Sequence, residues 1–260
     1  MGLKGRVAVV TGSTSGIGLG VADALAMQGA AVLLNGFGPK PAIDTALAQV
    51  AAGGTPVAYS AADMSRPDEI AAMLEQALRE LGPVDILVNN AGIQFTAPVE
   101  EFPAERWDAI LAINLSAVFH ATRAALPSMR ERNWGRIVNI ASTHGLVASV
   151  HKAAYVAAKH GVLGLTKVVA LETATTNITC NAICPGWVLT SLVQRQIDDL
   201  ALRDRLSPAQ AKQALLEEKQ PSHEFATPAH IGAAVAFLCS EAAAQIRGVA
   251  LPVDGGWLAQ

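Results

Sequence analysis

The stretch Val7-Ala8-Val9-Val10-Thr11-Gly12-Ser13-Thr14-Ser15-Gly16-Ile17-Gly18 decides the fold. Its four apolar residues read as a short strand covered on both faces, as strands of parallel sheets are. The glycine turn after it opens directly into a helical pattern over residues 17–28, stopped by Gly29. Strand, tight turn and helix in that order make the first half of a βαβ unit. Backbone N–H groups in such a turn, together with the positive end of the helix, can approach a pyrophosphate. The spacing is G-x3-G-x-G rather than the commoner G-x-G-x-x-G. Gly12, Thr14, Ser15, Gly16 and Ile17 are therefore candidate contacts to a dinucleotide.

The same alternation runs outward along the chain. Ala31–Asn35 reads as a second strand, then a helix follows over 42–52, ended by Gly53-Gly54. A third strand spans 57–61. The next helix opens at Asp63-Met64-Ser65-Arg66-Pro67, with Ser65 as its N-cap and Pro67 in its first turn. Further strands fall at 85–89, 136–141 and 178–184. Strands alternating with helices of this length predict an α/β chain with a parallel sheet covered on both faces. No linker or repeat interrupts it, so residues 1–260 read as one doubly wound dinucleotide-binding domain. Residues 189–225 break the rhythm, being rich in charge and amide. They read as two helices between Pro185 and Pro228, well placed to become a lid over a site.

Composition excludes several classes. Of 260 residues 51% are hydrophobic and 16% charged, and the formal net charge is −3, which is no recipe for disorder. Nor does it attract nucleic acid or anionic lipid. No uninterrupted apolar run approaches the roughly eighteen residues of a membrane span, and the N-terminus has no signal-peptide core. Arg6 stands where a myristoylation motif wants Ser or Thr. The expectation is a cytoplasmic protein. Cys180, Cys184 and Cys239 make neither a disulfide framework nor a metal set and read as reduced core thiols.

Candidate chemistry gathers at the carboxyl ends of the strands, where open α/β sheets hold ligands. The second strand ends in Asn35-Gly36-Phe37-Gly38, which leaves room for a ribose beside Phe37 and offers no cation to a 2′-phosphate. That favours NAD over NADP. Asp63 could take the adenine amine. Asn90 and Gly92 follow the fourth strand, in Asn89-Asn90-Ala91-Gly92, and Ser142 follows the fifth. About a dozen residues later come Tyr155 and Lys159, whose i,i+4 spacing puts phenol and ammonium on one helical face. A neighbouring ammonium is expected to lower the phenol pKa, so that Tyr155 serves as general acid or base while Ser142 binds the reacting oxygen. Around them Gln94, His144, Lys152, Trp187 and Gln196 combine a cation, amides and an apolar wall, which suits a compact anionic hydroxy acid.

Taken jointly, the glycine turn, the NNAG run, Ser142 before Tyr155-Val156-Ala157-Ala158-Lys159, Asn114 and Pro185-Gly186 resemble the short-chain dehydrogenase/reductase family. The resemblance covers residues 4–257. It implies a seven-stranded sheet whose last strand is 249–254, a nicotinamide cofactor, and a homotetramer with its apolar C-terminal stretch between subunits. It also implies a catalytic tetrad of Asn114, Ser142, Tyr155 and Lys159, with Lys159 on the nicotinamide ribose, Asn114 anchoring a relay water, and Pro185 and Val188 beside the cofactor. Residues 89–94, 144–149, 152–159, 182–188 and 218–222 resemble more narrowly the members that oxidise (R)-3-hydroxybutyrate to acetoacetate. In those, Gln94, His144, Lys152 and Gln196 bind the carboxylate and Trp187 packs on the substrate. This chain departs from them at Phe95, Thr143, His151 and Leu189-Thr190-Ser191. Alternatives are the same chemistry on another small hydroxy acid or a 3-oxoacyl substrate, and a non-catalytic nucleotide sensor on the same fold.

Overall fold

The apolar runs become strands because each is buried from both sides. In the computed structural model, which describes residues 2–259, β1 (Val7–Val10), β4 (Ile86–Asn89), β5 (Gly135–Ile140) and β6 (Ile178–Pro185) are buried along their whole length. With β2 (Ala31–Asn35), β3 (Val57–Ser60) and β7 (Ala250–Val253) they form one parallel sheet in the order β3-β2-β1-β4-β5-β6-β7. The helices are α1 (Gly16–Met27), α2 (Lys40–Ala51), α3 (Pro67–Glu80), α4 (Ala104–Leu111), α5 (Ala117–Glu131), α6 (Ala153–Glu172), α7 (Ser191–Asp204), α8 (Pro208–Lys219) and α9 (Pro228–Cys239).

The period-two alternation of the strands feeds two cores. On one face Ala8, Val10, Val32 and Leu34 pack with Leu25 of α1, Val50 of α2 and Val235 of α9. On the other, Val9, Leu33, Leu87 and Ile137 pack with Met73 of α3, Met129 of α5 and Val169 of α6. β1 lies between β2 and β4: the chain winds outward from it to β2 and β3, then crosses back to lay β4 on its other side. That reversal opens a crevice at the carboxyl ends of the strands.

Most expected elements form within a residue or two of the predicted bounds, and residues 189–225 supply the two helices α7 and α8. Ser65, however, is not the cap of α3. Arg66 holds that position without a side-chain capping bond, because the preceding turn is tied differently. The Ser65 N–H donates to the Asp63 carboxylate at 2.8 Å, and the Asp63 N–H donates to the Glu69 carboxylate at 2.8 Å. Two helical stretches, Ala104–Glu131 and Ala153–Glu172, are long and apolar enough to cross a bilayer by length and composition. Each turns a face inward here, Ala121, Ala125 and Met129 on the first and Val169 and Ala170 on the second. The three cysteines are buried and unpaired, and burial pushes Cys180 and Cys239 up to about 12 and Cys184 to about 11.

Candidate active site

The glycine turn is held open by the strand ends around it. Gly12 has φ +62°, a left-handed conformation that glycine adopts freely. A Cβ on Gly18 would sit 2.3 Å from the Gly12 carbonyl oxygen, so the first turn of α1 can approach the loop only as glycine. Three neighbours fix the loop. The Gly12 N–H donates to Asn35 Oδ1 at 3.2 Å, and Asn90 Nδ2 donates to the carbonyls of Thr11 and Gly12, both at 2.9 Å. Thr11 Oγ1 accepts the N–H groups of Asn90 and Ala91. The result is a cavity of about 350 Å³ lined by Gly12, Thr14, Ser15, Gly16, Ile17, Phe37, Asp63, Asn90 and Gly92. An elongated cradle of exposed backbone at a helix N-terminus, with an acidic residue at its far end, fits a dinucleotide. Asp63 stays ionised there, its carboxyl held low by the Ser65 N–H.

A second cavity, of about 180 Å³, continues from it past Asn90, Gly92 and Ile17. It brings together Ser142, Tyr155 and Lys159, and Pro185 and Val188 line it too. Ser142 stands at the end of β5 and caps a short 3-10 turn, its Oγ accepting the His144 N–H at 3.1 Å. Tyr155 and Lys159 sit one turn apart on α6, as the i,i+4 spacing requires, and Lys159 is buried to 4% exposure.

One expectation fails. The phenol of Tyr155 lies above its ordinary value, because burial outweighs the hydrogen bond from Ser142. The Lys159 ammonium points elsewhere, donating to the Ile140 carbonyl at 2.9 Å with its Nζ 5.6 Å from the Tyr155 ring centre. Burial in turn lowers Lys159 to about 8. Desolvation governs both groups more than their mutual charge does.

The substrate-recognition candidates converge on the same cavity: Gln94, His144, Lys152, Trp187 and Gln196 all line it. Lys152 lies just ahead of α6, its Nζ 5.6 Å over the Trp187 ring, and burial lowers its pKa. It makes no ion pair among the described residues. His144 is neutral, brought down to about 4 by burial and secondarily by the charge of Lys152. Its ring bridges two hydroxyls, with Nδ1 at 3.4 Å from Ser142 Oγ and Nε2 at 2.9 Å from Ser149 Oγ.

The unfolded chain gains a proton on this histidine that the folded protein refuses, so His144 costs stability as pH falls from 6.5 towards about 4. His144→Gln is expected to flatten the acid fall of Tm across that window relative to the wild type. Parallel Tm profiles for the two proteins would contradict the assignment.

Asn114 is placed differently from the rest. It sits in a π turn, Ala112–Ser116, between α4 and α5, is fully buried, and stands behind the cavity wall. Its amide is engaged twice with Ile93, Oδ1 accepting the N–H and Nδ2 donating to the carbonyl, both at 2.9 Å. The side chain thereby fixes the loop that carries Gly92 and Gln94. Trp257, which the sequence reading did not single out, lines the substrate side and meets His144 and Trp187 at ring-centre distances of 5.5 and 6.0 Å. Its only signal was an aromatic residue after Asp254-Gly255-Gly256. Asn35 was read for its bearing on the cofactor, whereas its side chain is a buried strut that also donates to the carbonyls of Ser60 and Ala62.

Comparison with known proteins agrees with this geometry. Residues 6–201 match the family model for short chain dehydrogenases, and the chain belongs to that family of nicotinamide-dependent oxidoreductases. Over 258 residues it is 58% identical to a D-beta-hydroxybutyrate dehydrogenase of Cupriavidus necator, covering 99% of this chain and 100% of that one. A protein of the same name from Rhizobium meliloti is 50% identical over 98% of this chain and 99% of its own. Among solved structures, a variant actinorhodin polyketide ketoreductase with NADPH superimposes with a TM-score of 0.91 at 37% identity, covering 97% of each chain.

Proposed function

We propose that this chain oxidises (R)-3-hydroxybutyrate to acetoacetate, reversibly and with NAD. The observation that carries the reading is Lys152, a partly buried cation without an ion-pair partner among the described residues, in one cavity with Ser142 and Tyr155. A carboxylate completes that charge, and Gln94, Gln196 and the neutral His144 supply further hydrogen bonds. The names of the two relatives support the same acid.

In this reading Ser142 hydrogen-bonds the carbinol oxygen, and Tyr155 takes the hydroxyl proton in oxidation and returns it in reduction. Bound NAD supplies the hydride acceptor. Lys159 and Asn90 hold its nicotinamide end, the glycine turn holds its phosphates, and Asp63 and Phe37 flank its adenosine. Asn114 acts through Ile93 to keep the loop of Gly92 and Gln94 in register. Helices α7 and α8 form the lid, with Thr190, Val193 and Gln196 turned to the cavity. An NADH-absorbance assay with both enantiomers of 3-hydroxybutyrate tests the proposal. Consumption of the R acid alone is expected, and turnover of neither would sink it.

NAD rather than NADP follows from the end of β2. Phe37 is 64% exposed at the cradle's edge, and no cation there meets a 2′-phosphate. The ketoreductase neighbour, on the same fold, holds NADPH, so the fold alone does not set the choice. Phe37→Arg is expected to raise kcat/KM with NADP about tenfold or more, a charge-assisted contact being gained. Equal efficiency of the wild type with both cofactors would refute the preference.

Assembly belongs to the same proposal. A homotetramer burying residues 249–258 between subunits is expected, and a monomer in sedimentation at micromolar concentration would overturn it.

A further inference from the structure

Outside the catalytic set Gln220 is a fully buried polar side chain, 1% exposed. It ends α8, its own N–H donating to the Leu216 carbonyl at 2.7 Å. A buried amide persists only where its donors and acceptor are used. Here the Trp187 N–H donates to Gln220 Oε1 at 2.8 Å, and Nε2 donates to the Glu224 carbonyl.

The stem of the side chain is wedged as tightly as its head. A Cβ on Gly186 would lie 2.8 Å from Gln220 Oε1, and one on Gly255 would lie 2.6 Å from its Cγ. The next segment is fastened to the same place, the Ser222 N–H donating to the Gly255 carbonyl at 2.9 Å. One side chain thus ties the end of α8 to the loop that carries Trp187 by its amide, and packs its stem against the loop that carries Trp257. Those indoles are the largest apolar groups on the cavity wall, 6.0 Å apart between ring centres.

We propose that Gln220 is the positioning residue that sets the gap between Trp187 and Trp257, and thereby the length of hydroxy acid admitted. This rests on the hydroxy-acid reading of the cavity. Among the described residues no hydrogen bond joins Gln220 to the carboxylate ligands or to Tyr155. It acts through the backbone of residue 187 and the packing of residue 255, leaving the chemical step to others.

The test is steady-state kinetics with NAD and 3-hydroxy acids of four, five and six carbons, on the wild type, Gln220→Met and Gln220→Asn. The Met variant keeps the stem and loses the acceptor, and the Asn variant keeps an amide too short to reach the Trp187 N–H. Leaving a buried N–H unpaired is worth about tenfold in an equilibrium. A rise of about tenfold in KM for the four-carbon acid is therefore expected. Discrimination against the six-carbon acid should weaken by a similar factor, with the KM for NAD within about twofold of wild type. Gln220→Glu, kept protonated by its burial, retains an oxygen for the Trp187 N–H and an O–H for the Glu224 carbonyl, and should preserve the chain-length preference.

A merely structural role predicts a lower Tm and equal losses on all three acids and on NAD, and that outcome would overturn the proposal. So would wild-type KM and preference in both Met and Asn variants, or a Glu variant as unselective as they are. A wild type inactive on every 3-hydroxy acid refutes the hydroxy-acid reading itself. An active wild type with unaltered variants refutes only the role of Gln220.

Discussion

Tyr155→Phe turns over 3-hydroxybutyrate at least about a thousandfold more slowly than the wild type, while NAD binds with nearly unchanged affinity. The magnitude is that of removing a positioned general acid–base, typically two to four decades, near the upper end because among the described residues Tyr155 is the one phenol lining the cavity. Only one oxygen is deleted and the ring still fills its place, so a folding defect is not expected to mimic the result. The raised phenol adds a direction. Oxidation needs the phenolate and reduction the phenol, so oxidation should quicken as pH rises and reduction should not. Lys159→Ala should harm both turnover and NAD binding, since this buried ammonium shares the cavity with Ser142 and Tyr155 and in the proposed reading holds the nicotinamide end. Titration of bound cofactor fluorescence beside initial rates separates the two effects. Substantial activity in the Phe variant would end the acid–base assignment.

Lys152→Ala raises KM for the acid, or lowers kcat/KM, by about two decades or more. Breaking a fully desolvated charge pair costs roughly 3–5 kcal/mol, and a partly exposed lysine belongs at the lower end of that range. The decisive comparison is a neutral secondary alcohol of similar size. It should be a poor substrate for the wild type and should lose far less from the substitution, because it never used the cation. Gln196→Ala should have a smaller direct effect, with slower lid closure added to it. Equal losses for acid and alcohol would mean that Lys152 supports α6 or Tyr155 and does not read the carboxylate.

The sequence by itself determined the parallel sheet, its helical cover and the neighbourhood of the site. Those features are local: apolar four-residue runs, glycine turns and helical spacings are chemistry between residues close in the chain. The placement of Tyr155 and Lys159 on one face of α6, and of the glycine turn against its helix, needed nothing more. Gln94 and Gln196 were legible from their places beside Gly92 and in the lid, and the resemblance to a family added Asn114, which spacing alone could not have joined to the site. What only the tertiary structure decided lies in contacts across long separations. Asn114 proves to hold Ile93 with its side-chain amide, Asn35 props the glycine turn, and Trp257 arrives at the cavity from far along the chain. The charge state of the site was decided there too. A lysine four residues from a tyrosine predicts a lowered phenol, yet burial, a property of the whole fold, raises Tyr155 and lowers Lys159 instead. Desolvation depends on everything packed around a group, and no local pattern in a sequence encodes it.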